Sequence, residues 1–131
     1  MTKFVIDSGV VRHLASKEVE VPAKHKLLAP TLLRSQVLSA LYEAVRGGEL
    51  TRDVAREQIG YFNRMKIRLL GDAVLRRRAW EVAEQLGLPT TYEAEYIALA
   101  QLQKGTLVSS DQRLLKRVRD LVPTAAVDAL R

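Results

Sequence analysis

Short apolar runs alternate along this chain with stretches of helical period, and that alternation limits the fold more than any other feature. The runs are Phe4-Val5-Ile6, Leu27-Leu28-Ala29, Lys66-Ile67-Arg68-Leu69-Leu70 and Thr106-Leu107-Val108-Ser109. Each is too short for a helix and is bounded by turn-forming residues, so each predicts a strand. Helices are predicted between them. Gly9 to Ala15 is short, and a polar loop from Lys17 to Lys26, containing Pro22, follows it. Pro30-Thr31 marks a second helix, with Thr31 as N-cap and apolar positions 33, 37, 40, 41, 44 and 45 on one face up to Gly47-Gly48.

Thr51 caps a third helix to about Asn63, with a weaker stripe of Val54, Ile59 and Phe62. Asp72 caps a fourth, apolar at 75, 79, 82, 83 and 86, and its Arg76-Arg77-Arg78 run reads as a solvated face. Gly87-Leu88-Pro89-Thr90 ends it, Thr91 starts a helix over Tyr92 to Lys104, and a last helix runs from Gln112 to about Arg119. The order is β-α-β-α-α-β-α-α-β-α, with an edge strand expected at Leu121-Val122 before a frayed end. Strands that alternate with helices imply a mainly parallel sheet covered on both faces. No repeat, linker or low-complexity tract divides the 131 residues, which predicts one domain over 1–131.

Composition narrows the chemistry. The chain has no cysteine, which excludes a disulfide framework and a thiolate metal site, and two histidines, His13 and His25, are too few for a His-rich one. A divalent cation must therefore be held by oxygen, which favours Mg2+ or Mn2+. The first residues lack the pattern of a signal peptide, and no apolar run approaches the roughly 20 residues that span a bilayer. The cytoplasm is the expected compartment, with no membrane partner. The net charge of +6 suits a polyanion such as nucleic acid, and equally suits plain solubility.

Three acids share one kind of location. Asp7 follows the first strand, Asp111 follows the fourth, and Glu93 lies in the first turn of the helix after Thr91. Each alone is explained as a helix cap or a dipole partner. Together they are different: if the strands of Asp7 and Asp111 are neighbours, their ends lie about 5 Å apart, at the edge where open α/β sheets bind ligands. Acids gathered there repel unless a divalent cation neutralises them, and oxygen ligands with waters left on the ion describe Mg2+ or Mn2+. Such a site serves phosphodiester hydrolysis.

The same residues carry a resemblance. Val5-Ile6-Asp7-Ser8, Leu28-Ala29-Pro30-Thr31-Leu32-Leu33, Gly87 to Ala100 with its Thr91-Tyr92-Glu93-Ala94-Glu95-Tyr96-Ile97-Ala98-Leu99-Ala100 core, and Leu107 to Leu114 resemble, in order and over the whole chain, the PIN-domain family. The likeness is to toxin ribonucleases of VapC type from toxin–antitoxin pairs. It implies a three-layer α/β sandwich with a mostly parallel central sheet flanked by helices, Mg2+- or Mn2+-dependent endoribonuclease activity, a homodimer, and a small antitoxin whose tail covers the active site. Carried over by position, Asp7 and Asp111 match the first and last family acids, and Ser109 the Ser/Thr two residues before the last. Asp7, Glu93 and Asp111 are the implied catalytic and metal-binding residues, with Ser8, Ser109 and Gln36 supporting them.

Two positions depart from that pattern. Glu93 stands where the family usually has Asp, one methylene shorter, and Gln36 stands where an acid is expected. Neither Glu43 nor Glu95 replaces that acid. Glu43 lies about 10 Å farther along its helix, and Glu95 is turned roughly 200° from Glu93, which predicts solvent exposure. The expectation is a working but weakened metal site; the alternative is a degenerate PIN domain acting as a non-catalytic RNA- or protein-binding module. A phosphatase or response-regulator-like domain ranks last, for want of further parallel strands and a late strand-end lysine. Arg113, Lys116 and Arg117, after Asp111, are candidate RNA contacts, and Tyr42, Tyr61 and Phe62 candidate liners of a dimer or antitoxin groove.

Overall fold

A computed structural model describes residues 2–131. Five strands form one sheet: β1 (Lys3–Ile6), β2 (Lys26–Pro30), β3 (Ile67–Leu70), β4 (Thr106–Val108) and β5 (Thr124–Ala125). The order across the sheet is β3-β2-β1-β4-β5, and every pairing is parallel. The helices are α1 (Ser8–Ser16), α2 (Leu33–Arg46), α3 (Arg52–Arg64), α4 (Ala73–Leu86), α5 (Tyr92–Gln103) and α6 (Gln112–Val118). The sandwich expected from the alternating pattern is therefore present, with the sheet parallel throughout the described residues.

Parallel strands covered on both faces are apolar on both faces, and the central ones obey this. Val5 and Ile6 of β1, and Leu107 and Val108 of β4, are fully buried. Helices contribute apolar stripes at the predicted spacing: Leu33, Val37, Leu41 and Ala44 from α2, and Leu75, Ala79, Val82 and Ala83 from α4. The α3 stripe departs from expectation. Its buried residue is Ala55, whereas Val54 is exposed and Ile59 and Phe62 are half-buried. Tyr61 on the same helix donates its hydroxyl to the Val19 carbonyl, which pins the loop between α1 and β2. The tyrosine is thus a structural tether as well as part of the wall of an open cavity.

Two further boundaries are corrected. Thr31 does not cap α2: the N-cap is Leu32, which has helical backbone and no capping side chain. The Thr31 amide instead donates to the Leu70 carbonyl at 3.2 Å, and its side chain lies where a Cβ on Gly71 would sit, 2.8 Å from Thr31 Oγ1. Thr31 thus closes the β2–β3 end, and α2 begins one residue later. At the other end of the chain, β5 is Thr124–Ala125 and not Leu121-Val122, because Val122 sits in the core while Pro123 presents its carbonyl to the Leu107 amide at 2.9 Å. The final residues are not frayed. A 3-10 turn, Val127–Leu130, buries Leu130 completely.

That last burial has a measurable consequence. Leu130→Ala leaves a cavity and is expected to destabilise the fold by ~2–5 kcal/mol in chemical denaturation. A loss within a few tenths of a kcal/mol would show the terminal turn to be loosely attached.

Candidate active site

The sheet order reverses direction at β1. From β1 the chain moves outward through β2 to β3, then returns to the other side of β1 as β4. The crevice at the carboxyl ends of β1 and β4 is a topological switch point, the usual ligand position in such sheets. Register pairs Ile6 with Val108, so the next residues, Asp7 and Ser109, emerge side by side.

Ser109 is 1% exposed, and its hydroxyl is satisfied twice. It donates to Asp7 Oδ2 at 2.9 Å and accepts the Asp111 amide at 3.1 Å. One buried hydroxyl thus ties the two strand ends together and fixes both acids. Asp7 also caps α1, its Oδ1 accepting the Val10 amide at 2.9 Å. Capping and site-building are therefore both true of this residue. A carboxylate has about four lone-pair sites, and these two bonds leave acceptor capacity on each oxygen.

Asp111 likewise caps α6, with Oδ1 accepting from the Arg113 and Leu114 amides at 3.0 and 3.2 Å. Its Oδ2 accepts no hydrogen bond among the described residues. The Asp7 carboxyl is held above its ordinary value mainly by burial and further by the Asp111 charge, while the Val10 and Ser109 bonds pull it down. A buried acid whose ionisation a neighbouring acid opposes, with oxygen lone pairs to spare on both, fits a hard divalent cation. Gly9 keeps the approach open. A Cβ there would stand 3.5 Å from Asp7 Oδ1 and 3.3 Å from Ser110 Oγ.

Helix α5 supplies the opposite wall. The Tyr96 hydroxyl donates to Gln36 Oε1. Burial, then the charges of Asp7 and Glu95, push the phenol far above its ordinary value. Gln36 is therefore at the acid edge, where its place on the apolar face of α2 puts it. The sequence marks Tyr96 only as a residue flanking the Glu93 face; its signal is a tyrosine three residues after an acid on one helix.

Glu93 is exposed in the first turn of α5, on the Tyr96 side, and among the described residues no three His, Asp or Glu side chains converge as a metal-holding group. Glu95 is not the solvent-exposed residue expected. It is half-buried, its carboxyl raised by burial and eased by the Arg76 charge. Ser8 begins α1 and is half-buried. Of the basic residues, Arg113 and Lys116 are exposed on α6, while the Arg117 guanidinium donates to the Leu86 carbonyl at the end of α4. A cavity of about 2030 Å3 lies at the opposite end of the strands between Lys3, Tyr61 and Lys66, and none of the candidate acids lines it.

No protein-family model matches the chain, and no curated protein sequence does. Solved structures share its fold. PAE2754 from Pyrobaculum aerophilum is 25% identical with a TM-score of 0.72, over 98% of this chain and 93% of that one. VapBC2 from Rickettsia felis, bound to a DNA fragment from their promoter, is 10% identical with a TM-score of 0.68, over 95% and 98%. A PilT N-terminus domain protein from Sulfolobus solfataricus P2 is 17% identical with a TM-score of 0.51, over 98% and 90%.

The strain at Asp7 gives a pH signature. Its folded carboxyl lies above the unfolded value, so ionisation costs stability at neutral pH, and the cost fades as pH falls through the raised value towards the ordinary one. Asn retains an oxygen for the cap. Asp7→Asn is expected to raise Tm at neutral pH, with a gain that shrinks on acidification; a gain equal at pH 7 and pH 4 would contradict an origin in the buried charge.

Proposed function

We propose, for a chain with the PIN-type fold shared by VapBC toxin–antitoxin proteins, that it is a metal-dependent endoribonuclease of the VapC toxin type. The observation that carries this is the Ser109 hydroxyl holding Asp7 and Asp111 together at the switch point. Residues Asp7 and Asp111 would hold Mg2+ or Mn2+, with Glu93 reaching in from the start of α5 as RNA closes the edge. When bound, the cation supplies Lewis acidity to an RNA phosphodiester at neutral pH. The chain's own part is orientation. Ser109 and the Val10 amide fix the Asp7 carboxylate, the α6 amides fix Asp111, and Arg113 and Lys116 offer cations to the RNA backbone.

Partners follow from what the fold leaves bare. Leu38 and Tyr42, one turn apart on α2, are 60% and 61% exposed. They favour an apolar partner segment, in our proposal the antitoxin, and Trp80 on α4, 63% exposed, favours contact with a second copy. Among the described residues no helix is long and apolar enough to cross a membrane, and we place the protein in the cytoplasm.

A non-catalytic RNA- or protein-binding module is the second possibility, favoured by Gln36, whose amide oxygen is taken by Tyr96. Calorimetric titration with Mn2+ separates the two: binding in the millimolar range or tighter is expected for the nuclease, and none for the module. With the nuclease, Asp7→Asn and Asp111→Asn each lower RNA cleavage by more than the ~10–100-fold typical of losing a supporting contact. Cleavage equal to that of the parent at the same Mn2+ concentration would sink the proposal.

A further inference from the structure

Tyr96 and Gln36 form the one side chain pair at this edge that joins α5 to α2 by a hydrogen bond among the described residues. Tyr96 is 4% exposed and belongs to the core, so its ring is fixed by packing before its hydroxyl makes any choice. Asp7, whose charge the phenol feels, already has one bond on each carboxylate oxygen, from Val10 and from Ser109. The phenol proton goes instead to Gln36 Oε1.

A carboxamide is planar, with its acceptor oxygen and its NH2 donor on different sides of the same carbon. With Oε1 turned inwards onto Tyr96, Nε2 is turned the other way. Gln36 is half-buried, and Nε2 has no hydrogen bond among the described residues and is not one of their buried unpartnered atoms, so solvent reaches it one hydrogen bond away from a phenol that feels the Asp7 charge at the crevice. A phosphate approaching that crevice meets the negative charges of Asp7 and Asp111. A third carboxylate at position 36 would add repulsion, whereas an amide N–H adds attraction.

We propose that Gln36 is not a metal ligand but a hydrogen-bond donor, its Nε2 binding a non-bridging oxygen of an RNA phosphate, and that Tyr96 is the positioning residue that holds it in that orientation. This rests on the ribonuclease function proposed above and changes the meaning of the missing acid there. Position 36 has exchanged a charge that would bind the cation for a neutral group that binds the substrate. Tyr96 touches neither substrate nor cation and acts only through Gln36.

The test uses the full chain and the variants Gln36→Ala, Gln36→Glu, Tyr96→Phe and Gln36→Ala/Tyr96→Phe. Single-stranded RNA binding is read by fluorescence anisotropy without divalent ions, so the RNA stays intact, and Mn2+ binding is read by calorimetry. Gln36→Ala and Tyr96→Phe are each expected to weaken RNA binding about fivefold, the loss of one ordinary hydrogen bond at 1.4 kcal/mol per tenfold. The double variant is expected to be no weaker than Gln36→Ala. Gln36→Glu weakens RNA binding further, through repulsion, and Gln36→Ala leaves the Mn2+ Kd within about twofold.

A tenfold loss of Mn2+ affinity in Gln36→Ala would make Oε1 a ligand and overturn the proposal. Parent-like RNA affinity in Gln36→Ala would overturn it too. So would a Tyr96→Phe variant that loses only Tm while its folded fraction binds RNA like the parent, since the tyrosine would then be structural alone. Should the parent bind no Mn2+, the nuclease function falls, while the RNA comparison still decides the role of Gln36.

Discussion

A single buried hydroxyl carries the arrangement at the centre of this protein. Ser109 is almost without solvent contact, and a buried polar group is tolerated only when its hydrogen bonds are made. It makes them to Asp7 on one strand end and to the Asp111 backbone on the other. The bond to Asp7 compensates part of the cost of burying a carboxylate. The bond from the Asp111 amide sets the turn that starts α6. Removing the hydroxyl would leave Asp7 with the burial penalty and the Asp111 repulsion, offset by the Val10 amide and its own backbone amide.

The edge is electrostatically unfavourable by construction. Burial and the Asp111 charge disfavour the charged form at Asp7, and the phenol of Tyr96 is held protonated by the same neighbourhood. Groups whose environments oppose their charge mark sites built for a ligand more often than for stability. The rest of the fold supplies the rigidity that such a site needs. Apolar strands β1 and β4 lie at the middle of the sheet, and α1 and α6 each begin on one of the two acids.

Some residues serve two purposes, and there the simple expectations went astray. Thr31 has the identity of an N-cap but commits its amide and side chain to the β2–β3 end, so α2 begins without a side-chain cap. Tyr61 has the identity of an interface aromatic but gives its hydroxyl to Val19. Arg117, a candidate cation for an RNA backbone, is exposed and also finishes α4 at Leu86. In each case a contact distant in sequence was added to a local preference or outweighed it.

The sequence by itself determined the alternation of strands and helices, hence the parallel layered fold, and it marked Asp7 and Asp111 as strand-end acids. Those features rest on period and on nearest neighbours, which a linear chain displays. Only the tertiary structure decided that β4 returns to lie beside β1, so that Asp7 and Ser109 meet across 102 positions of chain. It also decided that Tyr96 reaches Gln36 from 60 positions away, and that Glu95 is half-buried while Glu93 is exposed. Crossovers set which strands adjoin, and packing sets which way a side chain on a helix turns. Neither is written in local periodicity, because each depends on surfaces that exist only once the layers have closed.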